Sequence, residues 1–229
     1  MRILFLHHAP LDESAVGQAT IAWAGALVAA GHDARILVFD RAERRSQPAE
    51  IPVERITFSA SGSPADLQFD VPRYREGDAG ARGMAFDELN DAQLTRYREL
   101  FRRRLDTLID RFNPDVLHVQ YIGLLGQLAL ETGAPYVISS WGPELADLGR
   151  DARLQDLAEQ AATNAGRILT ADEDLAQRVT ETFEVEPQRV QVAARVLDVS
   201  GTQQAAPQMA EELLRVYQAL LEERFGGAR

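Results

Sequence analysis

The sequence predicts a single doubly wound α/β domain, in which a parallel β-sheet carries helices on both faces. Short apolar segments alternate with segments of helical periodicity along most of the 229 residues. The clearest unit has two apolar runs, at 116–119 and 136–138, on either side of a helical pattern at 124–130. A strand, a helix and a strand in so few residues indicate a right-handed crossover between parallel strands. We find no internal repeat and no heptad pattern that would favour another architecture.

The other elements of the predicted domain follow from the same patterns. Apolar runs bounded by turn residues predict five further strands, at 2–7, 34–39, 53–58, 167–170 and 189–193. Apolar stripes at helical spacing predict four further helices, at 17–30, 87–112, about 144–165 and about 173–183. Gly31 is the predicted C-terminal cap of the first helix, and Thr170 to Glu173 resembles a capping box that starts the last.

Two polar segments are predicted to be loops. Residues 41–50 are mostly polar, and residues 59–83 are rich in Gly, Pro, Ser and Asp. Loops as long as the second one, inside a compact domain, are usually functional lids or mobile segments.

The alternation of strands and helices ends near residue 198. Residues 199–208 are small and polar, as in a linker. An amphipathic helix at 209–226 follows, and its apolar stripe consists of Met209, Leu213, Tyr217, Leu220, Leu221 and Phe225. We therefore expect a domain at 1–198, a linker at 199–208, and a helix that buries its stripe against that domain.

Composition excludes several classes of protein. The net charge of -11 argues against a nucleic-acid partner, which would require a basic face. All 24 basic residues are Arg, so neither a P-loop lysine nor a Schiff-base lysine is possible, and the lack of Cys excludes disulfides and thiolate metal sites. No apolar run approaches the ~20 residues of a membrane span, and the short apolar run after Arg2 does not resemble a signal peptide. We expect a cytoplasmic protein that needs no cofactor.

Candidate site residues follow the predicted strands, because ligands of open parallel sheets bind at the carboxyl ends of the strands. The residues selected for ligand binding on this basis are Gly17, Gln18, His7, Tyr121, Trp141, Gly142 and Glu144, and His118 is selected for its position in the strand at 116–119. No carboxylate stands at ligand spacing near the histidines, so we expect no metal site. A dinucleotide fingerprint is also absent, although the helix that Gly17 opens could receive a phosphate or carboxylate at its N-terminus.

Each of these residues also has a structural interpretation. His118 could bind an acceptor hydroxyl or be a hydrogen-bonded structural histidine. Trp141 with Gly142 could form a stacking platform for a sugar or polyol, or the ring could pack against the next helix. Glu144 could accept hydrogen bonds from hydroxyl groups, or it could be an acid favoured in a first helical turn by the helix dipole.

Several motifs together resemble one family. The segments that carry the resemblance are GHDARILVF at 31–39, PDVLHVQY at 114–121, GAPYVISSWGPEL at 133–145 and AGRILTADEDLAQRV at 165–179. They resemble the N-terminal half of a GT-B glycosyltransferase of the retaining family 4 type, over about residues 1–198. The last helix resembles the family's C-terminal helix, which crosses back from the second domain onto the first. The resemblance implies a Rossmann-like sheet, an acceptor small molecule or glycan as ligand, and a catalytic role for His118.

The sequence also departs from this family. The second domain, which holds the sugar nucleotide, would lie between 198 and 209, where only the predicted linker is present. Neither the family's Arg/Lys pair nor its E-x7-E motif is present. Val196 stands where the family has a hinge glycine, Arg195 precedes it, and Val16 replaces the first glycine of the usual Gly-Gly pair.

Two functions remain open from these departures. In the first, the chain is an acceptor-side half, excised or designed, that is not catalytic alone. Alternatively, it is a glycosyltransferase subunit completed by a partner chain that binds the sugar nucleotide. Either way, a nucleotide sugar would bind only with a second domain or a partner chain.

Overall fold

The computed structural model describes residues 1–43, 51–75, 83–197 and 206–226. Seven parallel strands form one sheet in the order β3-β2-β1-β6-β7-β8-β9. In chain order the strands are β1 (Arg2–His7), β2 (Asp33–Arg41), β3 (Val53–Phe58), β4 (Pro72–Arg73), β5 (Met84–Ala85), β6 (Val116–Gln120), β7 (Tyr136–Ser139), β8 (Arg167–Thr170) and β9 (Val190–Val192). Strands β4 and β5 pair with each other outside the main sheet.

Helices connect these strands and cover both faces of the sheet. The α-helices are α1 (Ala15–Ala29), α2 (Asp91–Phe112), α3 (Leu124–Glu131), α4 (Pro143–Leu148), α5 (Ala152–Asn164), α6 (Glu173–Phe183), α7 (Ala194–Leu197) and α8 (Ala206–Phe225). Single turns of 3₁₀-helix lie at Phe86–Glu88 and Pro187–Arg189. This architecture confirms the predicted doubly wound α/β class. The class could be predicted because an alternation of buried runs and amphipathic helices is compatible with few other folds.

The two faces of the sheet bury separate apolar cores. Along β1, Leu4 and Leu6 pack with α2, α3, α5 and α6, whereas Ile3 and Phe5 pack with α1, α7 and α8. This alternation follows from the two-residue repeat of a strand, which sends successive side chains to opposite faces. Both sets are apolar because both faces are covered, as expected of a parallel sheet.

The last helix lies against the first. In α8, Met209, Leu213, Tyr217 and Leu220 are buried on the α1 side, but Phe225 at the end of the same stripe is 59% exposed. Leu220 lies directly over Gly166, where a Cβ would come within 2.1 Å of the leucine Cδ1. The packing of α8 at this contact therefore requires a glycine at position 166.

Helix starts differ from the prediction where a side chain caps the first turn. Helix α2 begins at Asp91 and not at 87, because the Asn90 side chain accepts a hydrogen bond from the Gln93 amide and the Gln93 side chain accepts one from Asn90. Helix α1 begins two residues early because Ser14 caps it.

Two details of the second half were predicted wrongly. Asp172 and not Thr170 caps α6, and it accepts a hydrogen bond from the Leu175 amide at 2.8 Å. The helix predicted at about 144–165 is two helices, because Asp151 starts α5 as a new cap.

Parts of the predicted loops and linker lie outside the described residues. These parts are 44–50, 76–82 and 198–205, and the side chain of Arg195 is also not described. Residues 206–208 of the predicted linker belong to α8. Among the described helices, none combines the length and the apolar composition needed to cross a membrane.

Candidate functional site

Three neighbouring strands end in buried polar side chains. Strands β1 and β6 pair Leu6 with Val119, so the next residues along, His7 and Gln120, are also neighbours. Gln120 pairs in turn with Ser139 at the end of β7. Paired residues of parallel strands face the same side of a sheet. The structure therefore brings these three side chains together on the face covered by α1 and α8.

The turn after β7 adds Trp141 to this edge of the sheet, and helix α4 adds Glu144. Gly142, with φ of 98°, turns the chain after β7 so that Pro143 starts the helix. The Trp141 indole Nε1 donates to Gln120 Oε1 at 3.1 Å, and the Trp141 backbone amide donates to Glu144 Oε1 at 3.0 Å. Glu144 is fully buried, and this burial raises its pKa, although hydrogen bonds from the Ser140 hydroxyl and from backbone amides oppose the rise.

Several atoms at this edge have no hydrogen-bond partner among the described residues. They are both ring nitrogens of His7, Nε2 of His8, Nε2 of Gln120 and Oε2 of Glu144. We call these four residues, all of them buried, the carboxyl-end cluster. Burial lowers the pKa of His7 to about 3 and holds the pKa of His8 well below its usual range, so both imidazoles are neutral at pH 7. Buried polar atoms are almost always paired, so such a concentration of unpaired ones indicates a site.

Aromatic rings cover the cluster on the side of the long loop. Tyr121 follows β6 with φ of 70°, a conformation that is uncommon for a bulky residue and is found at functional sites. Its ring stacks on His7 at 6.4 Å and meets His8 edge-on at 4.8 Å. Tyr74, within the predicted loop at 59–83, and Phe86, just after it, also contact His8, with ring centroids 5.1 and 5.3 Å away.

His118 lies deeper in the same face and is fully buried. Its Nδ1 is 2.6 Å from the Tyr217 hydroxyl of α8, and its Nε2 is 2.8 Å from Ser139 Oγ. Burial lowers the pKa of this imidazole to about 3. With both ring nitrogens engaged by the protein, this geometry favours the structural interpretation of His118.

A stack of three rings joins His118 to the edge of the sheet. Trp23 of α1 lies between His118 and Trp141, with ring centroids 5.3 and 5.7 Å away and planes tilted by 15° and 14°. The Trp23 Nε1 donates to the Val196 carbonyl at 2.9 Å, which fixes the ring in the stack. The two tryptophans and His118 therefore lie on the same face of the sheet.

Gly17 and Gln18 in the first turn of α1 bond the loop that precedes the helix. The Gly17 amide donates to the Ser14 hydroxyl at 3.0 Å, and the exposed Gln18 side chain donates to the Leu11 carbonyl at 3.1 Å. A Cβ on Gly17 would lie 2.4 Å from the same carbonyl oxygen. The glycine is needed here because the loop crosses close over the helix.

An open groove of about 680 Å³ adjoins Trp141 and Gly142. Three charged residues line it: Asp172, Asp174 and Arg178, with Arg178 3.9 Å from Asp174. In the part of the chain that the structure describes, no group of three or more His or acidic residues is arranged to hold a metal ion.

A comparison with protein families decides the relationship of the chain. The family described as "Glycosyl transferase 4-like domain" matches residues 14–196. The chain belongs to this family. Among curated protein sequences, no match was found for this glycosyl transferase 4-like domain.

Solved structures agree with the fold of the glycosyl transferase 4-like domain. A sucrose-phosphate synthase chain from Thermosynechococcus elongatus aligns with a TM-score of 0.58 and 10% identity, over 96% of this chain and 99% of that one. UDP-GlcNAc 2-epimerase from Methanocaldococcus jannaschii aligns with a TM-score of 0.55 and 10% identity, over 96% and 53%. The Neisseria meningitidis epimerase bound to UDP-GlcNAc aligns with a TM-score of 0.52 and 12% identity, over 100% and 55%. The chain thus spans about half the length of both epimerases.

The candidate site of the glycosyl transferase 4-like domain therefore includes only some of the residues predicted from the sequence. His7, Tyr121, Trp141 and Glu144 come together at one edge, whereas Gly17 and Gln18 serve the loop of α1. Gln120 was not selected, although a polar residue at the last position of a buried strand was a usable signal. The charged residues of the groove were also missed, because nothing in their spacing indicates that α6 faces α4.

Proposed function

We propose that this chain is the acceptor-side half of a family 4 type glycosyltransferase, formed by the N-terminal domain and the crossover helix, and that it is not catalytic alone. The observation that carries the proposal is the connection between α7 and α8. Only eight residues, 198–205, separate Leu197 from Ala206, and α8 nevertheless packs on α1. A donor-binding domain would have to be inserted in this short segment.

The sucrose-phosphate synthase chain supports this organisation. This chain matches it over 99% of its length. Another sucrose-phosphate synthase chain from the same organism aligns over only 47% of its length, with a TM-score of 0.55 and 10% identity. The likeness concerns the fold, and the activity of this chain rests on the proposal.

The charges of the groove favour a chain that does not bind a donor by itself. A departing nucleoside diphosphate needs cations or several amide donors around it. The groove offers Asp172, Asp174 and Arg178, a net charge of about -1 that comes from two acids against one base, and Arg178 already faces Asp174. A diphosphate in this groove would therefore be repelled more than it is attracted.

The acceptor, in this proposal, binds at the carboxyl-end edge of the sheet. Trp141 and Gly142 contribute the partly exposed wall of the groove, and Glu144, Tyr121 and His7 lie behind it. His118 serves as a structural residue that holds α8, rather than as a catalytic one. A role for Gly17 and Gln18 in ligand binding remains a prediction, as do the cytoplasmic location and the lack of a cofactor.

A partner chain that carries the donor domain is the second candidate. The observation that favours it is the open groove, which leaves Trp141 partly exposed at the edge where an acceptor would need a donor opposite. In that case the chain would form a stable hetero-oligomer with a nucleotide-sugar-binding protein. Co-purification from the native source, followed by mass determination, distinguishes a hetero-oligomer from a single chain.

Calorimetry with common nucleotide sugars, followed by hydrolysis and transfer assays on the purified chain, tests the main proposal. We expect binding no tighter than the millimolar range, about -4 kcal/mol, and no turnover above buffer. Holding donor and acceptor together is worth up to ~7–11 kcal/mol of barrier, and this chain supplies one side of that arrangement. Micromolar binding of a nucleotide sugar, or turnover that disappears in His118→Ala, would instead make the chain a compact glycosyltransferase.

A further inference from the structure

We infer that the carboxyl-end cluster binds the hydroxyl groups of an uncharged polyol. This inference rests on the proposed function and names the chemical class of its acceptor, a polyol without phosphate groups. The cluster consists, as defined above, of His7, His8, Gln120 and Glu144, each fully or almost fully buried. Its geometry and its lack of cations carry the inference.

The unpaired atoms come from the ends of β1 and β6 and from α4. His7 and Gln120 are neighbours across β1 and β6, and Gln120 Oε1 is held by the Trp141 indole. Glu144 Oε1 is held by the Trp141 amide and the Ser140 hydroxyl. The partners thus fix one end of the Gln120 and Glu144 side chains and leave Gln120 Nε2 and Glu144 Oε2 unpaired. Preorganised polar atoms of this kind are what a binding site requires for orientation and specificity.

The unpaired atoms include both donors and acceptors. Gln120 Nε2 can only donate, and each neutral imidazole has one nitrogen that donates and one that accepts. Glu144 Oε2 accepts when the acid is ionised and can donate when it is protonated. A hydroxyl group can donate and accept at once, so a vicinal diol or triol can satisfy such a mixed set. An ionised phosphate presents mainly acceptors and would leave the accepting nitrogens unpaired.

Two of the described arginines, one beside the covering rings and one in the groove, are engaged in ion pairs. Arg75, next to the covering Tyr74, pairs with Asp87 and Glu88, and Arg178 in the groove faces Asp174. A phosphorylated ligand would therefore bring its charge next to Glu144, and neither Arg75 nor Arg178 is free to compensate it. The charge of the cluster selects against sugar phosphates.

Access to the cluster runs past Trp141. The rings of Tyr74, Phe86 and Tyr121 cover the histidines on the loop side. Trp141, by contrast, lines the open groove with one part of its ring and donates to Gln120 with another. A polyol that enters from the groove would reach Gln120 first, and its binding would alter the environment of this tryptophan.

The test is a titration of the full chain followed by the ring-nitrogen signals of its four histidines in nuclear magnetic resonance spectra. The probes are glucose, mannose, myo-inositol and trehalose, each compared with a phosphorylated counterpart. We expect at least one uncharged probe to shift the signals of His7 and His8 with a dissociation constant in the millimolar range, and its phosphorylated form to bind at least tenfold more weakly. The signal of His32, which bonds the N-terminus at the opposite end of the sheet, should not move.

Variants identify the atoms that bind. Gln120→Leu should raise the dissociation constant of the polyol at least tenfold, and Glu144→Gln should also raise it. Gln127→Leu is the matched control, because Gln127 of α3 is also a buried glutamine, and it bonds Glu131 of the same helix and Arg98 of α2. Because the wild-type titration needs no variant, loss of folding in Gln120→Leu would leave the inference testable.

Three results would overturn the inference: no shift of His7 or His8 with any uncharged probe, tighter binding of the phosphorylated form, or equal binding by Gln120→Leu and wild type. None of these measurements contains a nucleotide sugar. A failure here is therefore separate from a failure of the proposed function, which is decided by donor binding and turnover.

Discussion

The hydrogen bond between Tyr217 and His118 provides a sharp test of how α8 is held on the domain. The Tyr217 hydroxyl lies 2.6 Å from His118 Nδ1, and both side chains are fully buried. In Tyr217→Phe the ring remains and no large cavity forms, but the imidazole nitrogen loses its partner. Leaving a buried polar group unsatisfied costs about 1–3 kcal/mol of unfolding free energy. For a chain of this size, a loss of about 2 kcal/mol lowers the melting temperature by about 4–8 °C.

The same variant should disturb the stacked tryptophans. His118 stacks on Trp23, which stacks on Trp141, and these are the two tryptophans of the chain. Stacked indoles couple their electronic transitions, so a shift of His118 should change the circular dichroism of the indole bands. Urea denaturation gives the free energy, and circular dichroism of the native protein gives the coupling.

Tyr136→Phe is the matched control for Tyr217→Phe. Tyr136 is also buried, and its hydroxyl donates to the Ala161 carbonyl at 2.7 Å, on the opposite face of the sheet. We expect a similar loss of stability without a change in the indole bands. The reasoning is refuted if Tyr217→Phe is as stable as wild type, or if both variants change the indole bands equally.

Three further predictions follow from the fold. Deletion of residues 207–229 should expose the apolar face of α1 and cost several kcal/mol, at ~25 cal/mol per Å² of apolar area, so an unchanged melting temperature would contradict the docking of α8. Because the pKa values of His7 and His118 are depressed in the folded protein, the unfolded chain binds more protons below pH 6.5, and each histidine should lower the unfolding free energy by about 1.4 kcal/mol per pH unit from pH 6.5 towards 3. Urea titrations at several pH values should show this dependence, with a shallower slope in His7→Phe. Gly17→Ala should cost about 1–3 kcal/mol, because its Cβ would meet the Leu11 carbonyl at 2.4 Å, and calorimetric melting at or above the wild-type temperature would argue against this close approach.

Much of the fold could be predicted from the sequence because both faces of the sheet are buried. Strands such as β1 and β8 are nearly continuous apolar runs, and their predicted bounds match the structure. Helix starts were less predictable, because they depend on which polar side chain folds back onto the first turn. Asn90 and Asp172 do so, and no pattern of apolar residues distinguishes them from their neighbours.

The sequence by itself determined the fold class and the edge of the sheet where polar side chains gather, because parallel strands necessarily end at a common edge. Only the tertiary structure decided which of these side chains bond each other. Tyr217 is 99 residues from His118 along the chain, and nothing local to either residue indicates their hydrogen bond. The bond exists because α8 packs on α1 over the buried end of β6. Packing therefore engages both nitrogens of His118 and leaves His7, Gln120 and Glu144 with unpaired atoms, a distinction that residue type and position in the sequence do not carry.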